Sequence, residues 1–149
     1  MGALNWLAGH ERVYLDANVL ICAVEAFPLY REAATSIFDA LSRGEHVGVT
    51  SELTLAEVLV KPLRDGHTAN QHTYQELLSP GADLEIAPVN REVLIEAARL
   101  RSISSLKLPD AIHAATARCQ ACTALLTNDK ALEVAPGISV MLSSRLMAG

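Results

Sequence analysis

Cysteine, aromatic residues and basic charge are all scarce in this sequence. Its 3 cysteines argue against a disulfide framework and fit a reducing compartment. Aromatic residues make up only 4% of a chain that is 50% hydrophobic, and such a composition suits helix-covered parallel strands better than an aromatic-rich barrel. With 12 basic residues against 17 acidic ones, the net charge of −5 lacks the overall basic footprint of many nucleic-acid-binding proteins.

Long apolar runs and several familiar motifs are also missing. No stretch reaches the roughly 20 apolar residues of a membrane span, and residues 1–11 do not resemble a signal peptide, so we expect a cytoplasmic protein with no membrane partner. There is no Ser-His-Asp ordering, no Walker loop and no glycine-rich dinucleotide fingerprint. Cys119 and Cys122 have CxxC spacing but fall at a predicted helix end, which favours packed thiols over a redox or zinc site.

The apolar pattern predicts strands that alternate with helices. Strands are predicted over 13–15, 46–50, 84–87, 123–127 and 138–142. Helices are predicted over 17–25, 29–43 and 68–78, after an Asn90 cap and within 106–118, with a corner at Phe27-Pro28 and a left-handed cap at Gly44. A further helix is predicted from Ser51, and Pro62 either kinks or closes it. This alternation predicts a single α/β domain over residues 1–149 with a mostly parallel sheet.

Asp16 stands between a predicted strand and the helix that follows it without a long loop. It is therefore expected at the carboxyl end of a strand, the edge of an open α/β sheet where ligands bind. The alternative is that its carboxylate only caps the helix by accepting hydrogen bonds from first-turn amides. Asp129 is placed in the same way after strand 123–127, and its alternative is an ordinary turn aspartate.

Two further acids are associated with helices. Pro109 suits the first helical position and places Asp110 in the first turn, where it either complements the helix dipole or faces the ligand edge. Glu57 lies on a mostly apolar helix face and either leans inward or pairs with Lys61, its i+4 neighbour. His113 lies one turn after Asp110, and we interpret it as a packing or hydrogen-bonding residue because no other histidine has ligand spacing to it.

These four acids are expected to meet in one cleft. Right-handed crossovers bring the carboxyl ends of parallel strands to the same side of the sheet. Carboxylates crowded there repel one another unless cations neutralise them, and Mg²⁺ and Mn²⁺ prefer oxygen ligands. A pair of such ions can activate a water for attack on a phosphodiester without a side-chain nucleophile. The predicted site therefore consists of Asp16, Glu57, Asp110 and Asp129 around Mg²⁺ or Mn²⁺.

The acids lie in four short motifs that together cover nearly the whole chain. The motifs are Leu15-Asp16-Ala17-Asn18-Val19-Leu20, Thr54-Leu55-Ala56-Glu57-Val58, Leu108-Pro109-Asp110-Ala111-Ile112-His113 with the small residues that follow, and Leu126-Thr127-Asn128-Asp129. In this order they resemble the PIN domain superfamily and, within it, the VapC-type bacterial toxins. Pro109 directly before the third acid is a mild departure that leaves all four acids in place.

The resemblance implies a three-layer α/β/α sandwich and a Mg²⁺- or Mn²⁺-dependent endoribonuclease whose catalytic and metal-binding residues are these four acids. It assigns supporting polar roles to Asn18, Thr127 and Asn128. It also implies RNA as the substrate, a homodimer, and a cognate antitoxin that blocks the site, as in a VapBC-type toxin-antitoxin pair.

Basic residues near the acids in sequence suggest a route for an RNA backbone. Lys61, Arg64, Lys107 and Lys130 are the candidate contacts, and ordinary solvated charge is the alternative for each of them.

Two other functions compete with nuclease activity. A non-catalytic PIN-fold module would bind RNA or a protein without turnover. A phosphatase or receiver-like domain would phosphorylate Asp16, but Asn18 stands where the common aspartyl-phosphate phosphatases carry a second aspartate.

Overall fold

Strands and helices alternate through the computed structural model, which describes residues 2–25 and 28–143. The strands are β1 (Arg12–Leu15), β2 (Val47–Ser51), β3 (Leu84–Ala87), β4 (Ala124–Thr127) and β5 (Ser139–Leu142). The helices are α1 (Gly2–Leu7), α2 (Ala17–Val24), α3 (Pro28–Ser42), α4 (Glu52–Arg64), α5 (Thr68–Leu77), α6 (Arg91–Ser102) and α7 (Leu108–Cys119), and a short 3₁₀ helix covers Lys130–Val134. This order confirms the predicted α/β class.

The five strands form one sheet in the order β3-β2-β1-β4-β5, and every neighbouring pair is parallel. The register places Tyr14 of β1 between Val49 of β2 and Leu125 of β4. The chain moves outward from β1 to β3 in one direction and through β4 and β5 in the other, so the strand order reverses between β1 and β4. Ligands of open α/β sheets bind at the carboxyl ends of the strands beside such a reversal.

Both faces of the sheet are covered by helices. Along β1, Val13 and Leu15 point into a core that includes Leu20 of α2, Ile37 of α3 and Tyr74 of α5. Tyr14, between them in the strand, points into a second core formed with residues of α6 and α7. Side chains of a strand alternate between its faces, so one strand supplies both cores. The result is the expected three-layer α/β/α sandwich.

Several helix ends form as their sequence predicts. Ser51 caps α4, because its side chain accepts a hydrogen bond from the amide of Leu53. Asn90 caps α6 in the same way through the amide of Val93. Gly44, which follows α3, has a φ of +75°, the left-handed conformation in which glycine avoids the strain of a side chain.

Three sequence expectations differ from the structure or fall outside it. Helix α1 was not predicted, because six residues without a capping signal or a full apolar repeat give no helical pattern. Of the two outcomes expected at Pro62, closure of the helix is wrong, because α4 continues through this proline to Arg64. Of the corner predicted at Phe27-Pro28, Pro28 begins α3 and Phe27 lies outside the described residues.

Two other features bear on expectations from composition. Within residues 2–25 and 28–143, none of the helices combines the length and the apolar character that crossing a bilayer requires. Cys22, Cys119 and Cys122 are free thiols, and burial raises the pKa of Cys122 to about 11, which disfavours the reactive thiolate.

The two-sided core makes a stability prediction. Leu126 in β4 is completely buried, so Leu126→Ala should lower the free energy of unfolding by about 2–5 kcal/mol. Leu94 on α6 is 47% exposed, and Leu94→Ala should change it by no more than about 0.5 kcal/mol. Urea denaturation of both variants measures the difference, and equal losses would contradict the assignment of Leu126 to the core.

Candidate active site

Three of the predicted acids come together at the carboxyl edge of the sheet. Asp16 directly follows β1, and Asp129 lies two residues beyond the end of β4, the strand next to it. Asp110 lies in the first turn of α7. After burial, the charges of Asp129 and Asp16 contribute most to raising the pKa of the Asp110 carboxyl, as expected for neighbouring groups. They therefore lie on both sides of the strand-order reversal.

Thr127 ties two of these acids together. Its hydroxyl donates a hydrogen bond to Oδ2 of Asp16 and accepts one from the backbone amide of Asp129 at 3.0 Å. Asp16 is only 5% exposed, and although it occupies the N-cap position of α2, its carboxylate makes no capping hydrogen bond. The capping interpretation of Asp16 is therefore wrong, and its carboxylate is held by Thr127 instead.

Asp129 has both of the roles that the sequence left open. Its Oδ1 accepts a hydrogen bond from the amide of Ala131 at 2.9 Å, which caps the 3₁₀ helix as a turn aspartate would. The same carboxylate raises the pKa of Asp110. Since capping uses one carboxylate oxygen, it does not remove Asp129 from the cleft.

Glu57 leans inward, so the alternative of a pair with Lys61 is wrong. Its Oε1 accepts a hydrogen bond from Nε2 of His113 at 2.6 Å. Lys61 instead lies with its Nζ 3.6 Å from Glu25, near the carboxyl end of α2. Nδ1 of His113 lies 2.5 Å from the hydroxyl of Tyr14. The hydrogen-bonding interpretation of His113 is confirmed, with Glu57 as its partner at the cleft.

Crowding of these groups alters how they ionise. Burial, followed by the charges of Asp129 and Asp16, raises the pKa of Asp110 to about 6. Burial also raises the pKa of Asp16, although the positive charge of His113 and the hydrogen bond from Thr127 oppose the change. Burial lowers the pKa of His113. The hydrogen bond to Glu57 and the nearby carboxylates raise it by more than burial lowers it, so the pKa lies above its ordinary value.

The other predicted polar and basic residues are spread more widely. Asn18 and Asn128 are exposed beside Asp16 and Asp129, and no side-chain hydrogen bond of theirs is seen within the described parts of the chain. Lys107 immediately precedes α7, and Lys130 begins the 3₁₀ helix, so both are exposed at the rim of the acidic cleft. Arg64 lies at the far end of α4, beyond Lys61, and is not part of this rim.

The donor set fits a hard divalent cation. Carboxylates supply the oxygen ligands that Mg²⁺ and Mn²⁺ prefer. Among residues 2–25 and 28–143, no three His, Cys, Asp or Glu side chains already stand in position to hold one ion. Mg²⁺ does not require such a cage, because it retains several waters and binds through one or two carboxylates together with substrate phosphate.

The Tyr14–His113 pair is the part of the site that the sequence did not reveal. Tyr14 occupies a core position of a buried strand, and His113 lies in a run of small apolar residues, so both are typical of packing. The signal in the sequence was that Tyr14 and His113 are polar side chains at core positions, and buried polar groups need hydrogen-bond partners. Their partners were not predictable, because His113 lies 99 residues from Tyr14 and 56 residues from Glu57 along the chain.

A comparison with family models identifies the chain. The PIN domain model matches residues 13–138, which include all four acids. The chain belongs to the PIN domain family. This confirms the resemblance carried by the four motifs. No curated protein matches the sequence significantly.

Solved structures of other PIN proteins resemble this one over most of its length. VapBC2 of Rickettsia felis, bound to a promoter DNA fragment, has a TM-score of 0.72 at 18% identity and covers 88% of this chain and 98% of its own. A toxin-antitoxin complex of Klebsiella pneumoniae has a TM-score of 0.67 at 26% identity and covers 88% and 97%. VapC20 of Mycobacterium tuberculosis, a sarcin-ricin loop cleaving toxin, has a TM-score of 0.65 at 17% identity and covers 86% and 98%.

The crowding around Asp110 makes a prediction about stability and pH. A carboxyl whose pKa rises from 3.8 to about 6 on folding favours the folded state at low pH, and this contribution is lost as pH rises through 6. In metal-free PIN domain at pH 7.5, Asp110→Asn should therefore raise the free energy of unfolding, and the advantage should shrink toward pH 4. Urea denaturation in chelator at both pH values measures it.

The matched control is Glu11→Gln, an exposed acid before β1 at the opposite edge of the sheet. It should show no such pH-dependent gain. A destabilising Asp110→Asn change at pH 7.5 would contradict the proximity of these carboxylates.

Proposed function

We propose that this PIN domain is a metal-dependent endoribonuclease that hydrolyses RNA phosphodiester bonds, with Mg²⁺ or Mn²⁺ held by Asp16, Glu57, Asp110 and Asp129. PIN domain homologues of the VapC type are generally nucleases. The observation that carries the proposal is the meeting of acids from three separate segments at the strand-order reversal, where burial and the charges of Asp129 and Asp16 raise the pKa of Asp110. An uncompensated cluster of this kind is costly, and a bound cation relieves that cost.

The residues of the chain have distinct parts in this proposal. When bound, the cation supplies an activated water and neutralises the charge that develops on the phosphate. Thr127 orients Asp16 through its hydroxyl and also fixes the backbone of Asp129. Asn18 and Asn128, exposed beside the acids, supply polar groups to the substrate or to metal-bound water. We take residues 1–149 to form a single domain in this proposal. The hydrolysis requires no side-chain nucleophile, because the attacking group is water.

We further propose that the chain is the toxin of a VapBC-type pair that acts in the cytoplasm as a homodimer and is blocked by a cognate antitoxin. The structure from Klebsiella pneumoniae is described as a toxin-antitoxin complex, and its 26% identity extends over most of both chains. A short neighbouring reading frame for a DNA-binding antitoxin would support the pairing. Co-expression of its product should abolish RNA cleavage, and analytical ultracentrifugation of the isolated chain should give twice its mass of 16.0 kDa.

Cleavage of structured RNA by the purified protein tests the activity. Cleavage should require Mg²⁺ or Mn²⁺, stop in chelator, and fall by at least about 100-fold in Asp16→Asn, as expected when a ligand of a catalytic ion is lost. Glu11→Gln should cleave like the wild type. Equal cleavage by wild type and Asp16→Asn would remove Asp16 from the mechanism.

Two results would support the competing functions. RNA binding without turnover in any divalent ion, retained in Asp16→Asn, would indicate a non-catalytic binding module. An acyl phosphate on Asp16 would indicate a phosphatase or receiver-like function.

The rim of the cleft predicts which cations contact RNA. Lys107 and Lys130 border the acids, whereas Lys61 is paired with Glu25 near the end of α2. The double variant Lys107→Gln/Lys130→Gln should weaken RNA binding and lower the slope of log affinity against log salt by about 1 for each lost phosphate contact. Lys61→Gln, the control, should leave the slope unchanged, and fluorescence anisotropy across a salt series measures both. The opposite pattern would place the RNA route along α4, with Arg64.

A further inference from the structure

His113 connects the candidate site to the buried centre of the protein. Its residue is 1% exposed, with Nε2 2.6 Å from Oε1 of Glu57 and Nδ1 2.5 Å from the hydroxyl of Tyr14. Both ring nitrogens are therefore engaged, and the ring cannot rotate without breaking a buried hydrogen bond to Tyr14 and a partly buried one to Glu57.

The chemistry of the partners fixes the direction of the bond at Glu57. A carboxylate has acceptors only, so Nε2 of His113 carries the hydrogen. The Tyr14 hydroxyl is the partner of Nδ1, and it donates to that nitrogen when the ring is neutral and accepts from it when the ring is charged. In this arrangement, Tyr14 orients the ring and the ring presents an N–H to Glu57.

Glu57 has an alternative orientation that this N–H prevents. Its side chain is 34% exposed on α4, and helical spacing places Lys61 within reach of it. Lys61 is directed to Glu25 instead, and Glu57 turns toward α7. Of the groups packed around Glu57, His113 is the one that donates a hydrogen bond to its carboxylate within the described residues.

The bond also joins the two helical layers. Val58, next to Glu57, packs into the core that contains α2 and α3. The neighbours of His113 on α7, Ile112 and Ala114, pack into the core on the opposite face of the sheet. The Glu57–His113 bond therefore crosses the carboxyl edge of the sheet and fixes the distance between an acid of one layer and the start of α7, where Asp110 lies.

We propose that His113, oriented by Tyr14, is a positioning residue that fixes the Glu57 carboxylate at the cation site shared with Asp16 and Asp110. The inference rests on the proposed function and adds to it the group that places one ligand. Partners that hydrogen-bond to metal ligands typically change metal affinity or activity by about 10- to 100-fold when mutated.

Two amide substitutions test the position of the N–H. The side-chain amide of His113→Gln can place a donor near Nε2, whereas the shorter amide of His113→Asn can place one only near Nδ1. His113→Asn should lower Mn²⁺ affinity by about 10- to 100-fold and lower kcat with little change in KM for RNA. His113→Gln should recover most of both. Mn²⁺ titration of metal-stripped protein and steady-state cleavage measure these quantities.

Thr116→Val is the matched control. Thr116 is completely buried one turn further along α7, and its hydroxyl donates a hydrogen bond to the carbonyl of Ile112 in its own helix. It reports any general effect of perturbing α7, and it should leave Mn²⁺ affinity unchanged. Asn and Gln variants with equal Mn²⁺ affinity would overturn the positioning role, as would a loss in Thr116→Val as large as that in His113→Asn.

A measurement without metal or RNA tests the bond itself. In ¹⁵N-edited spectra of the metal-free protein, the Nε2 proton of His113 should exchange slowly, and Glu57→Ala should shift or broaden it. Glu52→Gln, an exposed acid at the start of the same helix, should not. A spectrum in which Glu57→Ala leaves this proton unchanged would overturn the proposal even if both variants at position 113 fail to fold.

The two proposals fail in different ways. A wild-type protein that binds no Mn²⁺ and cleaves no RNA overturns the proposed function and the positioning role together. A wild type that binds and cleaves, with His113→Asn equal to it, overturns the positioning role alone.

Discussion

The parallel alignment of all five strands is the constraint on which the rest of the site depends. Parallel strands end at the same edge of a sheet, so residues that follow different strands meet there even when they are far apart in sequence. Asp16 and Asp129 follow neighbouring strands on the two sides of the strand-order reversal. Thr127 at the end of β4 then links them with two hydrogen bonds. An antiparallel β4 would place Asp129 at the opposite edge.

This constraint creates an electrostatic conflict that the fold only partly resolves. Hydrogen bonds stabilise the ionised forms of individual acids, as Thr127 does for Asp16, but each acts on one oxygen of one carboxylate. Burial, followed by the charges of Asp129 and Asp16, still raises the pKa of Asp110, so the ionised form of this carboxyl remains unfavourable. If no ligand bound here, fewer acids would be expected at this edge of the sheet, since a buried or crowded carboxylate destabilises the folded state. A cluster of carboxylates that is kept despite this cost is typical of a site that binds a cation.

The sequence predicted the elements of this arrangement better than its connections. Apolar periodicity located all five strands, and the ends of β1 and β4 identified Asp16 and Asp129. These features were predictable because the type of an element and the end of a strand depend on residues close together in sequence. The direction of Glu57 was not determined locally, since Lys61 offered an equally good partner on the same helix face. It depended on His113, whose position relative to α4 is set by packing on both faces of the sheet. Helix α1 left no pattern because it is too short to show a period.

The Glu57–His113 bond shows why such connections carry more information about function than the elements do. Packing alone would be satisfied by an apolar residue at position 113, surrounded as it is by Ala111, Ala114 and other buried side chains of α7. A histidine there must satisfy two ring nitrogens, and it does so with a phenol from the sheet and a carboxylate from the opposite layer. A buried polar network specifies one geometry rather than adding much net stability. The geometry that this network specifies is the orientation of Glu57 at the edge of the cleft. The network therefore serves to place a negative charge there.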